Sequence, residues 1–194
     1  MTLWAADLRS GPPPSPPSAG FEVCEVLPPG TEVAAAMGAE GDLVAARLAR
    51  GCRCFAACRD GAVAAYGWFS AGPEWIGEVG VEVRPAPGEA YVWNCVTLPE
   101  WRLRGAFRSV LLGVVAAARA EGVSRLWIGS AEVGAVSAVV GAGFTPVLTV
   151  VNRSLGGVRI VTTRPAPGAS PDLVDAARRS LRAPAVGLRR RRRH

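Results

Sequence analysis

The chain has 194 residues, 49% of them hydrophobic and 20% charged, enough for one domain with its own apolar core. Its formal charge of +6 belongs to the C-terminal end. There is no Lys; Arg178, Arg179, Arg182 and Arg189–Arg193 follow the last acid, whereas fourteen Arg balance fourteen acids up to Arg164. A neutral body argues against a charge-driven nucleic-acid-binding domain, and no apolar run reaches the roughly 18 residues of a membrane helix.

In chain order, Met1–Ser10 lacks the basic-then-apolar order of a signal peptide, so a cytoplasmic location is expected. The stretch GPPPSPPSAG over 11–20 reads as an extended linker that detaches these residues, making 1–20 a disordered N-terminal segment. Phe21–Leu27 reads as a first strand. Thr31–Met37 and Leu43–Arg50 read as short helices, the second with Asp42 at its start and Gly51 just past its end.

The period then changes from helix to strand. Cys52–Arg59 and Ala62–Ser70 flank Asp60-Gly61, a strong hairpin signal. Trp75–Arg84 reads as a third strand and Glu89–Thr97 as a fourth. A long helix follows from about Gly105 to Glu121, with Val110, Leu111, Val114, Val115 and Ala118 at helical spacing. Leu126–Gly129 is a short buried strand, and Ala131–Ala142 a helix of small residues. Phe144–Val151 and Val158–Thr163 pair as a last hairpin.

Beyond Arg164 a linker leads to a helix capped by Ser170 and Pro171, reaching about Arg182. The end reads as a disordered basic run. The domain is therefore 21–165, and 166–194 is linker, short helix and Arg-rich tail. The order of elements implies an α/β fold with a mixed, mostly antiparallel central sheet flanked by helices. The five Cys (24, 52, 54, 58 and 95) are odd in number, which argues against a disulfide framework. His194 is the sole His, too few ligands for a metal site, and buried apolar thiols are expected instead.

The segment Thr97–Phe107 carries chemistry. A strand ends, a short loop turns and a long helix begins. The first backbone N–H groups of a helix lack internal partners, and the macrodipole adds positive charge, so such a start binds a pyrophosphate. Gly105 brings the phosphate close to the backbone, and Arg102, Arg104 and Arg108 add charge. A solvated, Arg-bearing helix start accounts for the same residues.

Arg102, Gly105 and the position of Phe107 resemble the acyl-CoA signature of the GNAT N-acetyltransferases: Arg or Gln, two residues, Gly, one residue, then Gly or Ala. Ala-Gly-Phe-Thr-Pro-Val over 142–147 is similar to the same family in order and spacing. The resemblance covers about residues 21–165 and implies the acyl-CoA N-acyltransferase fold. It also implies transfer of an acetyl or other acyl group from acyl-CoA to a small-molecule or peptide amine by direct attack. Backbone groups of Val96 and Thr97 would pair with the pantetheine arm. The amides of Leu103, Arg104, Gly105, Ala106, Phe107 and Arg108, with the charge of Arg102, would hold the pyrophosphate. No metal and no membrane are implied, and a homodimer is left open.

The sequence departs from the family pattern at three positions. Phe107 stands where a small residue is usual, Val139 where many relatives carry a Tyr that protonates the thiolate, and Glu132 where many carry an Asn. A non-catalytic, GNAT-like CoA-binding or interaction module is the alternative these departures favour.

Two residues are candidates for the missing acid and base. Tyr91 reads either as a strand aromatic or as an acid. Glu78 reads either as an exposed strand residue or as a buried base of raised pKa. Alternation sets Asn94 opposite Tyr91 and puts Cys95 on the Tyr91 face unless a bulge intervenes. Trp68, Trp75, Trp93 and Trp101 read as walls of an apolar acceptor pocket or as ordinary packing. The Arg189–Arg193 run offers at most weak nucleic-acid binding by counterion release.

Overall fold

Asp60 and Gly61 both take positive φ, 51° and 77°, the geometry of the tight hairpin turn their types favour. They join β3 (Arg53–Arg59) to β4 (Ala62–Ser70), the first pair of a large sheet. In the computed structural model, residues 1–10, 20–130, 133–155 and 158–181 are described. Most of the Pro-rich stretch, Ala131, Glu132, part of the turn between the last two strands, Arg182 and the Arg-rich tail lie outside them.

The remaining strands are β1 (Thr2–Asp7), β2 (Glu22–Glu25), β5 (Glu74–Ile76), β6 (Val81–Val83), β7 (Glu89–Thr97), β8 (Arg125–Ser130), β9 (Thr145–Leu155) and β10 (Val158–Pro165). The helices are α1 (Thr31–Met37), α2 (Leu43–Ala49), α3 (Ala106–Ala120), α4 (Val136–Gly141) and α5 (Pro171–Ser180). Eight strands form one sheet in the order β10-β9-β1-β8-β7-β4-β3-β2. Every pairing is antiparallel except β7 with β8. This is the mixed, mostly antiparallel sheet with flanking helices that the order of elements implies.

Each face of the sheet has its own cover. On one, α3 buries Val110, Leu111, Val114, Val115 and Ala118 against Ala90, Val92, Leu126 and Ile128. Each such side chain contributes about 1.5–3 kcal/mol, so the apolar stripe suffices to fix α3. On the other face, α1 and α2 cover Cys54, Tyr66 and Trp68. The β5–β6 hairpin and α5 cover Leu3, Tyr91, Trp127 and Leu148.

Three expectations are corrected. First, residues 2–7 are not detached: β1 pairs with β8 on one side and β9 on the other. Its residues alternate across the sheet, Trp4 and Ala6 joining the α3 face, Leu3 and Ala5 the opposite one. Four consecutive apolar residues buried on both faces make an interior strand, whatever linker follows.

Second, the stretch read as one strand from Trp75 to Arg84 breaks at Gly77–Gly80, where Gly80 has φ 63°. Its halves, β5 and β6, pair with each other in a separate two-stranded sheet. Third, α5 is not an appendage beyond residue 165. Ser170 caps it by accepting a hydrogen bond from the Leu173 amide at 3.3 Å, and Val174, Ala177 and Leu181 are buried in the core. No described helix is long and apolar enough to cross a membrane.

Candidate active site

The parallel pair β7–β8 is joined only from Glu89–Arg125 to Val92–Ile128. β7 runs on to Thr97 and β8 to Ser130, so among the described residues the strands part beyond Val92. The β8-facing backbone edge of β7, including the end that carries Val96 and Thr97, is thereby open. A bulge accompanies the parting. Trp68 of β4 faces Trp93, but Tyr66 faces Val96, so β7 carries one extra residue. Asn94 absorbs it with φ 42°.

The bulge resets the alternation of β7. Cys95 leaves the Tyr91 face and lies with its thiol against Gly67 and Val110, on the α3 side. Burial pushes that thiol up to about 12, which removes it as a nucleophile at neutral pH.

The chain leaves the open end of β7 through a 3-10 turn, Pro99–Trp101, and enters α3. Between them Leu103 is fully exposed with φ 61°, and Gly105 has φ 85°. A left-handed Leu without packing is strained, and such strain marks functional backbone. Among the described residues no side chain caps the start of α3, and the Ser109 amide is already bonded to the Gly105 carbonyl at 3.0 Å. The amides of the first turn, Ala106 to Arg108, thus lack intrahelical acceptors.

Arg102, Leu103 and Arg104 are exposed beside this turn. The guanidinium groups of Arg104 and Arg59 lie 5.6 and 6.0 Å from the Trp101 ring. Arg108 turns away and donates to the Gly141 carbonyl at 3.4 Å. Phe107 is half-buried and packs against the α3 core. The open edge, the left-handed loop and the uncapped helix follow one another along the chain, and a helix start of this kind can bind a phosphate group.

Tyr91 is 4% exposed. Burial raises its phenol above the ordinary tyrosine value, the charges of Cys95 and Glu78 add to the rise, and the Gly129 backbone amide opposes it. Like any tyrosine it is neutral at physiological pH, and the rise makes the hydroxyl a weaker acid. Glu78 departs from expectation. It is exposed in the turn between β5 and β6 and not buried. Val139 is fully buried in the α3 core, where it presents no hydroxyl.

Of the four tryptophans, only Trp68 and Trp93 come together, their ring centroids 5.9 Å apart. Trp75 is exposed on β5, and Trp101 packs edge-on against Phe21. Sequence reasoning missed what surrounds the Trp68–Trp93 pair. Arg47 of α2 lies over both rings, 5.1 and 4.8 Å from their centroids. Its Nη2 and the Asn94 Nδ2 both donate to Glu40 Oε2, each at 3.1 Å. A second ionic group ties α2 to β5: Arg50 donates to both oxygens of the buried Glu74 at 3.0 Å, and the Cys52 thiol donates to Oε1 at 3.4 Å.

Comparison with known proteins agrees with this geometry. The model of the Acetyltransferase (GNAT) family matches residues 23–138; the chain belongs to that family. No curated protein matches it significantly. Among solved structures, a GNAT-family protein from Novosphingobium aromaticivorans DSM 12444 is similar at TM-score 0.51 and 21% identity, over 74% of this chain and 58% of that one. A GCN5-related N-acetyltransferase from Sphaerobacter thermophilus is similar at 0.52 and 16%, over 75% and 47%. The GCN5-related glucosamine N-acetyltransferase region of a fungal multi-domain β-N-acetylglucosaminidase is similar at 0.55 and 12%, over 75% and 19%. At these identities the likeness shows the shared fold, and the chain spans less than two thirds of each of these proteins.

Proposed function

We propose that this chain is an acyl-CoA-dependent N-acetyltransferase working in the gap between β7 and β8. The observation that carries the reading is the continuity of the open β7 edge with the left-handed Leu103–Gly105 loop and the uncapped start of α3. Acyl-CoA supplies the activated thioester. Val96 and Thr97 bind its pantetheine arm through their backbone groups, and the amides from Leu103 to Arg108 bind the pyrophosphate. Arg102 and Arg104 screen the phosphate charge.

In the transfer a C–N amide bond forms as the C–S bond breaks. Tyr91, neutral at physiological pH, presents its O–H to the departing sulfur. Glu78, exposed in the β5–β6 turn and near enough for its charge to act on the Tyr91 phenol, takes the proton of the amine through water. Calorimetry with acetyl-CoA tests the binding step: micromolar binding lost in Gly105→Glu supports it, and unchanged affinity moves the site elsewhere.

The buried Val139 favours one other reading, a domain that binds CoA without turnover. It predicts acetyl-CoA binding with no thiol release across a broad amine panel. Release that falls in Tyr91→Phe decides for the enzyme.

A further inference from the structure

The group beside the β7 bulge is rich in donors and short of acceptors. Arg47 Nη1 and the indole Nε1 atoms of Trp68 and Trp93 are buried without a hydrogen-bond partner among the described residues. The Arg47 side chain is only 12% exposed, and Trp68 is fully buried. Buried donors are almost always paired, so three orphans around one guanidinium ask for a missing acceptor.

Among the described residues, the carboxylate in contact is Glu40, which is 58% exposed. It sits at the end of the 3-10 turn Gly38–Glu40, and Gly38 has φ 59°. A single oxygen of this carboxylate receives both Arg47 and Asn94. Because the Glu40 end of the pair lies in solvent, water screens the attraction, and an incoming anion can displace the carboxylate. A cationic acceptor fits poorly. The Arg47 guanidinium already covers both indole faces, and the Glu40 oxygen is already bound twice.

We propose that Arg47, Asn94 and the indole N–H groups of Trp68 and Trp93 form the carboxylate-recognition site for the acyl acceptor. The acceptor is then a small amino-acid-type molecule, carrying an amine and a carboxylate. Glu40 holds the place of that carboxylate until the acceptor binds. Because Asn94 is the bulge residue at the β7–β8 gap, a carboxylate on these donors sets a nearby amine at the gap. This rests on the acyltransferase reading for the identity of the reaction, but not for the binding of the carboxylate.

The test uses proteinogenic amino acids, each against the amine left by its decarboxylation, on the full-length protein with CoA bound. Binding is read by calorimetry and transfer by thiol release. At least one amino acid should bind tenfold or more tightly than its decarboxylated partner. That preference should vanish in Arg47→Gln, with acetyl-CoA affinity unchanged. Trp93→Phe keeps the ring and removes one donor, so it should cost severalfold in acceptor KM while kcat holds. It stands in if Arg47→Gln does not fold. Glu40→Ala should tighten amino-acid binding. Equal or weaker binding of every amino acid relative to its amine overturns the site. Preferential amino-acid binding without transfer to any amine keeps the site and overturns the acyltransferase reading.

Discussion

Tyr91 reaches from β7 to β8 and rests its phenol oxygen against Gly129: a Cβ built on Gly129 would meet that oxygen at 3.0 Å and the Met1 sulfur at 2.8 Å. The absence of a side chain at 129 is what lets the hydroxyl settle beside the gap. Gly129→Ala must push the ring or Met1 aside. We expect a stability loss of about 1–3 kcal/mol, the usual range for overpacking. We also expect kcat to fall tenfold or more while acetyl-CoA affinity is kept, because the track from Val96 to Arg108 is untouched. Steady-state kinetics with calorimetry check this; an unchanged kcat would remove Tyr91 from the reaction.

Leu103 offers a test with the opposite sign. A left-handed Leu costs roughly 1–2 kcal/mol, and this side chain is fully exposed, so no packing offsets the cost. Leu103→Gly relieves the strain, while the added freedom of the unfolded chain takes back about 0.5–1 kcal/mol. The net expectation is a gain of about 0.5–1 kcal/mol, or roughly 1–4 °C in Tm for a chain of this size. Thermal unfolding monitored by circular dichroism measures it. A lowered Tm would mean that the side chain packs in solution.

Thiols held partly or wholly out of water contribute to the fall of stability at alkaline pH. Burial pushes Cys54 and Cys95 up to about 12 and Cys58 up to about 11, against an ordinary thiol value of about 8.5. Their folded values exceed their unfolded ones, so their contribution is complete below about pH 8.5. It is lost as the pH rises toward 11–12, because the unfolded chain releases these protons first. Each thiol adds up to about 1.4 kcal/mol of lost stability per pH unit in that window. Urea unfolding from about pH 7.5 to 10 should show the decline, and Cys54→Ala should flatten it by one thiol's share, whatever its own cost at neutral pH.

Features that one or two neighbouring residues decide were legible in the sequence. Asp60-Gly61 made its hairpin, Ser170-Pro171 started α5, and Arg102 with Gly105 marked the uncapped start of α3. What depended on contacts between distant segments was not. Glu40 and Asn94 are 54 residues apart, and nothing local in either says that they meet. The bulge at Asn94 is likewise a property of the pairing with β4, and it overturned the face expected for Cys95. The misplacement of Glu78 is different in kind. Gly77 and Gly80 flank it and were readable as a turn, but the apolar run around them outweighed that signal.

β1 gives the last prediction. The family match begins at residue 23, and the Pro-rich stretch before it invites truncation there. Yet Leu3, Trp4, Ala5 and Ala6 are all buried, and the strand lies between β8 and β9. A chain beginning at Gly20 would lose this strand from the middle of the sheet. Two rows of backbone donors and acceptors would open, one of them on β8, and such edges recruit other chains. The expected result is loss of cooperative unfolding and aggregation during expression. Adding a peptide spanning Met1–Ser10 to the truncated chain should recover part of the folded signal. A truncated protein that unfolds cooperatively at the full-length Tm would show that the sheet closes without β1.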